Sequence, residues 1–280
     1  MLRSSLQVEK SMAHPSILYP VLTKSYKGLF PFRIGTTSFI YPDHYIPNVK
    51  MLGPYLDEIE LLLFESKGPG TLPSGRIIDE LAGLAENFGL KYNVHLPTDI
   101  AISDPNPAVQ RHAVDTMIRV MELVNPLTPS VLTLHVPYNE GSLEAHHVKI
   151  WQDRVYDSLE KIRSSNTHRH TISIETLDYP FEIIEDIVID LDLTICLDLG
   201  HLMVYDYDIV KVFNKYSSKT AIIHLHGLEN HDDHKALDRL PDKFVEPVVC
   251  ILKKFSGIVS LEIFSFENLI TSLNHLEKIF

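Results

Sequence analysis

Thiols are scarce in this 280-residue chain: Cys196 and Cys250 are its only cysteines, far apart and in no CxxC pair. That excludes a disulfide-built scaffold and a thiolate zinc site, and it suits a reducing, cytoplasmic setting. Positive charge is short as well. The 25 Lys and Arg face 37 Asp and Glu, for a formal charge of −12, so a phosphate backbone is repelled and nucleic acid is not the expected partner. Glycine totals 12, with neither a GxGxxG nor a P-loop, which removes the usual signature of an open nucleotide-binding sheet. No apolar run is long enough to span a bilayer, and the N-terminal stretch lacks the compact apolar core and cleavage motif of a signal peptide. Residues 1–30 show no clear periodicity and are expected to form an N-terminal extension. No Gly/Ser/Pro tract divides residues 31–280, which are expected to form one domain.

Within that domain the chain keeps a rhythm. Eight short β-branched runs, FRIGTT, EIELLLFE, KYNVHLP, VLTLHVP, TISIET, LTICLDLG, AIIHLHG and IVSLEIF, alternate with segments of helical period. The cleanest helix starts at Asn106-Pro107, a cap followed by proline in the first turn. Its apolar stripe runs through Val109, Ala113, Met117, Val120, Met121 and Val124, and Asn125-Pro126 stops it. Segments 74–88, 144–163, 236–255 and 266–280 carry helical patterns too. Eight strands alternating with helices predict the α/β class and a single-domain (β/α)8 TIM barrel.

Histidine is plentiful, with 15 residues, and its placement is ordered. Glu65, His95, His135, Glu175, Asp198, His224 and Glu262 stand at or just past the ends of successive strands, which a barrel gathers at one mouth. Histidine mixed with carboxylate suits a divalent ion such as zinc or manganese. Two residues earlier, on the same faces, stand Asn93, Thr133, Ser173, Cys196, Ile222 and Ser260. These mostly small or polar residues either orient the ligands or fit the barrel's taper. His201 follows Asp198 in DLGHL, with a glycine between them that lets the backbone turn. Four histidines, 224, 226, 231 and 234, crowd into one short segment, where Asp232 and His234 form a D-x-H pair on the loop after the seventh strand. After the second strand, Lys67, Gly68 and Gly70 either flank a phosphate or form a plain flexible loop, and Glu65 either meets substrate or caps the rim.

The ordered series H…H…E…DLGH…HLH…DxH…E resembles the AP endonuclease type 2 and xylose isomerase-like TIM-barrel superfamily from about Phe32 to Phe264. The resemblance implies three metal groups. His95 and His135 would hold a first ion, with Glu175 bridging to a second held by Asp198, His224 and Glu262. His201, Asp232 and His234 would hold a third. Residues 35–65, GTTSFIYPDHYIPNVKMLGPYLDEIELLLFE, are similar to the opening of the cobamide-remodelling phosphodiesterases of the CbiR type. That branch implies hydrolysis of the nucleotide-loop phosphodiester of B12-type cofactors to a cobinamide phosphate and the riboside of the lower ligand. The substrate is then a small molecule and no membrane is involved. Glu175 and Glu262 are the expected catalytic groups, up to three zinc or manganese ions the cofactors, and Glu65, Lys67 and His226 the candidate substrate contacts. A one-metal sugar isomerase or epimerase, using only the positions of Glu175, Asp198, His224 and Glu262, is the alternative. A DNA-repair enzyme and a non-catalytic cofactor-binding barrel follow it.

Overall fold

The computed structural model describes residues 19–280, apart from 69, 230 and 231. Eight parallel strands close on themselves: β1 (Arg33–Thr37), β2 (Glu58–Leu62), β3 (Lys91–His95), β4 (Leu132–Leu134), β5 (Ile172–Glu175), β6 (Thr194–Asp198), β7 (Thr220–Leu225) and β10 (Ile258–Leu261). Sequential strands are neighbours throughout, and β1 pairs with β10 to shut the barrel. Between β7 and β10 the chain adds a small antiparallel hairpin, β8 (Gly227–Glu229) and β9 (Asp232–Lys235). The expected (β/α)8 barrel is the fold.

Strand alternation sorts the two faces. Ile34, Ile59, Leu61, Tyr92, Val94, Ile174, Leu197, Ile223 and Val259 belong to one large core with the helices. The residues between them face the barrel axis and are small or polar, while Val131, Cys196, Ile222 and Ile258 form a separate apolar cluster. The strand carbonyls and amides are paired all round, so the axis is left for side-chain chemistry.

Helix α3 (Pro107–Val124) begins as its sequence predicts: Asn106 Oδ1 accepts the Ala108 N–H at 2.9 Å, with proline in the first turn. Ala113, Met117, Val120, Met121 and Val124 are buried, whereas Val109, in the opening turn, is 44% exposed. The stripe meets the barrel only after that turn. Helices α2 (Gly75–Phe88), α4 (Ala145–Ser165), α8 (Asp242–Leu252) and α9 (Phe266–Ile279) occupy the other segments of helical period. Of the stretch expected as an N-terminal extension, residues 1–18 lie outside the described residues. From residue 19 onward it packs on the barrel, with Leu22, Tyr26 and Phe30 buried in the core. Among the described residues no helix is long and apolar enough to cross a membrane.

Candidate metal centre

His95, Glu175 and Asp198 are the last residues of β3, β5 and β6, His224 lies inside β7, and His135 and Glu262 follow β4 and β10 by one residue. Parallel strands of matched register deliver these side chains to one end of the barrel. The backbone after His135 is held from two sides, by Tyr179 Oη on the Val136 carbonyl at 2.7 Å and by Trp151 Nε1 on the Pro137 carbonyl at 3.0 Å.

Glu175 is the hub. Its Oε2 lies 3.1 Å from His95 Nε2 and 2.8 Å from His135 Nε2, and its Oε1 lies 3.4 Å from His201 Nδ1 and 3.5 Å from His224 Nδ1. His224 Nδ1 also faces Asp198 Oδ2 at 3.8 Å and Glu262 Oε2 at 3.6 Å. Asp198 does a second job, since Oδ1 accepts the His201 N–H at 2.7 Å and starts helix α6 (Leu199–Val204).

Donor atoms within 4.8 Å of one another form the groups His95–His135–Glu175, Glu175–Asp198–His224–Glu262 and His201–Asp233–His234. Further groups join Glu175 with Cys196 and His224, and His226 with His234 and Glu262. Several of these atoms are buried without a hydrogen-bond partner: His135 Nε2, Asp198 Oδ2 and both nitrogens of His224. Buried polar atoms left unpaired are costly. Converging lone pairs on imidazole and carboxylate are the donor set a divalent cation takes, so the residues present fit one.

Charge in the cluster is strongly biased. Burial pushes the Glu262 carboxyl well above the usual range, with Glu60, Glu175 and Asp198 adding to the rise. Burial acts the same way on Glu175, but His135 and His224 outweigh it and hold that carboxyl well below its ordinary value. Asp198 is likewise lowered, since His201 and His226 overcome its burial. For His224 burial opposes the charged form, yet Cys196, Glu60, Glu262 and Glu175 raise its pKa well above that of free histidine.

Eight of the nine expected ligands therefore come together, and Asp232 does not. Its side chain is 78% exposed and lies 3.8 Å from Lys235 Nζ, while Asp233 joins His201 and His234. The reason is local. His234 has φ +53°, so the strict alternation that would pair it with Asp232 is broken in β9. Glu65 and Lys67 are exposed, and Lys67 Nζ is engaged by the Asp99 carbonyl. Neither reaches the donor groups. His226, the third expected substrate contact, is fully buried, and His231 lies outside the described residues. The glycine of DLGHL also has another purpose than a turn. Gly200 is helical, and a Cβ there would fall 1.9 Å from His226 Cε1.

One interior residue escapes a reading of strand ends. Glu60, midway along β2 and fully buried, places Oε1 3.1 Å from His224 Nε2, with the ring N–H off the ideal line, while Ser260 Oγ donates to Oε2 at 2.5 Å. A carboxylate in that position can orient a histidine ring that takes a metal. Its signal is the inward spacing of Glu58 and Glu60 in EIELL. Asn93 and Ser260, two of the residues one layer down, serve these two carboxylates directly: Asn93 Nδ2 donates to Glu58 at 3.1 Å.

The chain is similar in structure to a D-tagatose 3-epimerase-like protein, with TM-score 0.75 and 19% identity over 89% of this chain and 97% of that one. The IolI protein with a bound zinc atom gives TM-score 0.71 and 15% identity over 89% and 98%. The 3-keto-D-glucoside 4-epimerase YcjR from E. coli gives 0.69 and 13% over 89% and 98%. Likeness at such identities speaks for the fold. No curated protein matches significantly. The family model described as xylose isomerase-like TIM barrel matches residues 50–279, and with the closed barrel this places the chain in the xylose isomerase-like TIM-barrel family.

Proposed function

We propose that the protein is a metal-dependent phosphodiesterase that hydrolyses a small anionic phosphodiester. The observation that carries this reading is the donor set beyond the four residues a one-metal isomerase uses. His95 and His135 converge on one oxygen of Glu175 at 3.1 and 2.8 Å, and His201, Asp233 and His234 form a separate group. Divalent ions held by these residues would supply positive charge to phosphoryl oxygens and a leaving alkoxide and would acidify a bound water. Zinc or manganese, up to three, suits a donor set of imidazole and carboxylate.

The chain's own groups divide the remaining work. Glu175, kept ionised by His135 and His224, belongs to three of the donor groups and is placed to pass a proton from water. Glu262 carries a raised pKa and is the second glutamate of the group with Glu175, Asp198 and His224. A cobamide is the substrate we favour, on the resemblance read in the sequence of residues 35–65 alone; the family match is to the xylose isomerase-like barrel in general. The formal charge of −12 disfavours a nucleic acid.

A sugar epimerase or isomerase is the second reading, and the named activities of the similar structures favour it. In that reading Glu175 and Glu262, members of one four-residue group, act as the paired acid and base. The deciding experiment incubates metal-loaded protein with adenosylated cobamide, with bis(p-nitrophenyl) phosphate and with a ketohexose, and resolves products by chromatography. Corrinoid phosphate and riboside are expected. Epimerised sugar with no phosphodiester cleavage would overturn the proposal and establish the second reading.

A further inference from the structure

His226 sits one residue beyond β7 with no exposed surface, so substrate cannot touch it. Only one of its ring nitrogens, Nδ1, is hydrogen-bonded. The His234 backbone N–H lies 3.0 Å from Nδ1, and the Gly227 carbonyl lies 3.3 Å from the same atom. The N–H is nearer and can only donate, so Nδ1 holds the lone pair and Nε2 carries the proton. Nε2 is buried, without a well-formed hydrogen bond, and faces Asp198 Oδ1 at 3.5 Å. In this tautomer the one lone pair is taken by the His234 N–H, which sets His226 apart from His234 and Glu262, its partners in one of the donor groups.

Two further features converge on this ring. The residue whose N–H it receives, His234, has φ +53°, a left-handed conformation that is unfavourable for a non-glycine residue. Opposite, the ring lies directly on Gly200, where any Cβ would come 2.0 Å from Nε2. The imidazole thus fills the space between helix α6, which carries His201, and the β8–β9 hairpin, which carries Asp233 and His234.

We propose that His226 is a positioning residue: it clamps the strained backbone of His234 against Asp198 and so fixes the spacing between the central donor group and the His201–Asp233–His234 group. Gly200 is the partner that makes room for the clamp. This rests on the multi-group reading given under the proposed function, and the tests are chosen to separate the two.

The first test is nitrogen-15 NMR of the metal-free wild-type protein, which needs no variant to fold. His226 should show the Nε2–H tautomer, and the His234 amide should exchange slowly. A proton on Nδ1 would overturn the clamp. The second is a titration with zinc against a chromophoric chelator, with metal content measured directly. His226→Ala and Gly200→Ala should each weaken the ion of the hairpin group by ~10–100-fold, the usual cost of losing an outer-shell partner. They should spare the ion nearest Glu175 and speed His234 amide exchange. His226→Asn, whose Oδ1 can take the place of Nδ1 as acceptor, should recover most of the loss. Unchanged binding in His226→Ala, or an Asn variant as weak as the Ala variant, would overturn the proposal. A wild-type protein that takes a single ion would sink the phosphodiesterase reading, and the clamp would then still be judged by the tautomer and the His234 exchange rate.

Discussion

Replacing Glu60 with glutamine should weaken metal binding without unfolding the barrel. The side chain is fully buried, and glutamine keeps its volume. Ser260 Oγ, now 2.5 Å from Oε2, can donate to the amide oxygen instead. The amide nitrogen is then left facing His224 Nε2, where a carboxylate oxygen stood at 3.1 Å. Two donors cannot face each other, so His224 must move its proton to Nδ1. That is the nitrogen aimed at Glu175, Asp198 and Glu262 at 3.5, 3.8 and 3.6 Å, so the lone pair an ion needs is removed. Loss of such an outer-shell carboxylate costs ~10–100-fold in affinity, or about 1.4–2.7 kcal/mol.

The assay is chelator competition for zinc at neutral pH, with circular dichroism to establish the fold. Glu58→Gln is the control. Glu58 lies two residues earlier on the same face, but its carboxylate is bound by Arg33 at 3.0 Å, Ser130 at 2.7 Å and Asn93 at 3.1 Å. It should lose stability and leave metal affinity alone. A folded Glu60→Gln protein with wild-type affinity, or equal losses in both variants, would refute the reasoning.

Metal should stabilise the protein more as pH rises from 6 to 8. The folded pKa of His224 is raised, so in the metal-free protein its contribution is complete below the unfolded value near ~6.5 and fades as pH climbs through the folded value. An ion needs the deprotonated ring, so equal metal-induced Tm shifts at both pH values would contradict this. Asp233→Ala should lower phosphodiester cleavage by about 10²–10³, the usual loss for one electrostatic contact to the transition state. Asp232→Ala, at a side chain 78% exposed, should change turnover little, and the reverse order in steady-state kinetics would reject the hairpin geometry. Asn106→Ala should cost roughly 1 kcal/mol through the lost cap of α3, measured by urea denaturation. An unchanged midpoint would show that the cap contributes nothing.

The barrel and most of its donors were legible because parallel strands impose one rule on every unit. A residue at the end of a β-run arrives at the same mouth whatever its helix does, so His95, Glu175 and Asp198 could be read from position alone. The hairpin obeys no such rule. A single left-handed φ at His234 exchanges Asp232 for Asp233, and backbone dihedrals of that kind leave no trace in a D-D-H string. Glu60 escapes for a different reason: it lies in the interior layer beneath the strand ends, where a buried carboxylate acts only through the histidine it faces. A glycine between Asp198 and His201 suggests a turn, whereas Gly200 is helical. Its constraint comes from His226, which is distant in the chain and touches it only once the barrel closes. What local pattern cannot supply is therefore the layer that acts through other residues. That layer, Glu60 behind His224 and His226 behind His234, is where substitutions should alter metal affinity while leaving every direct ligand in place.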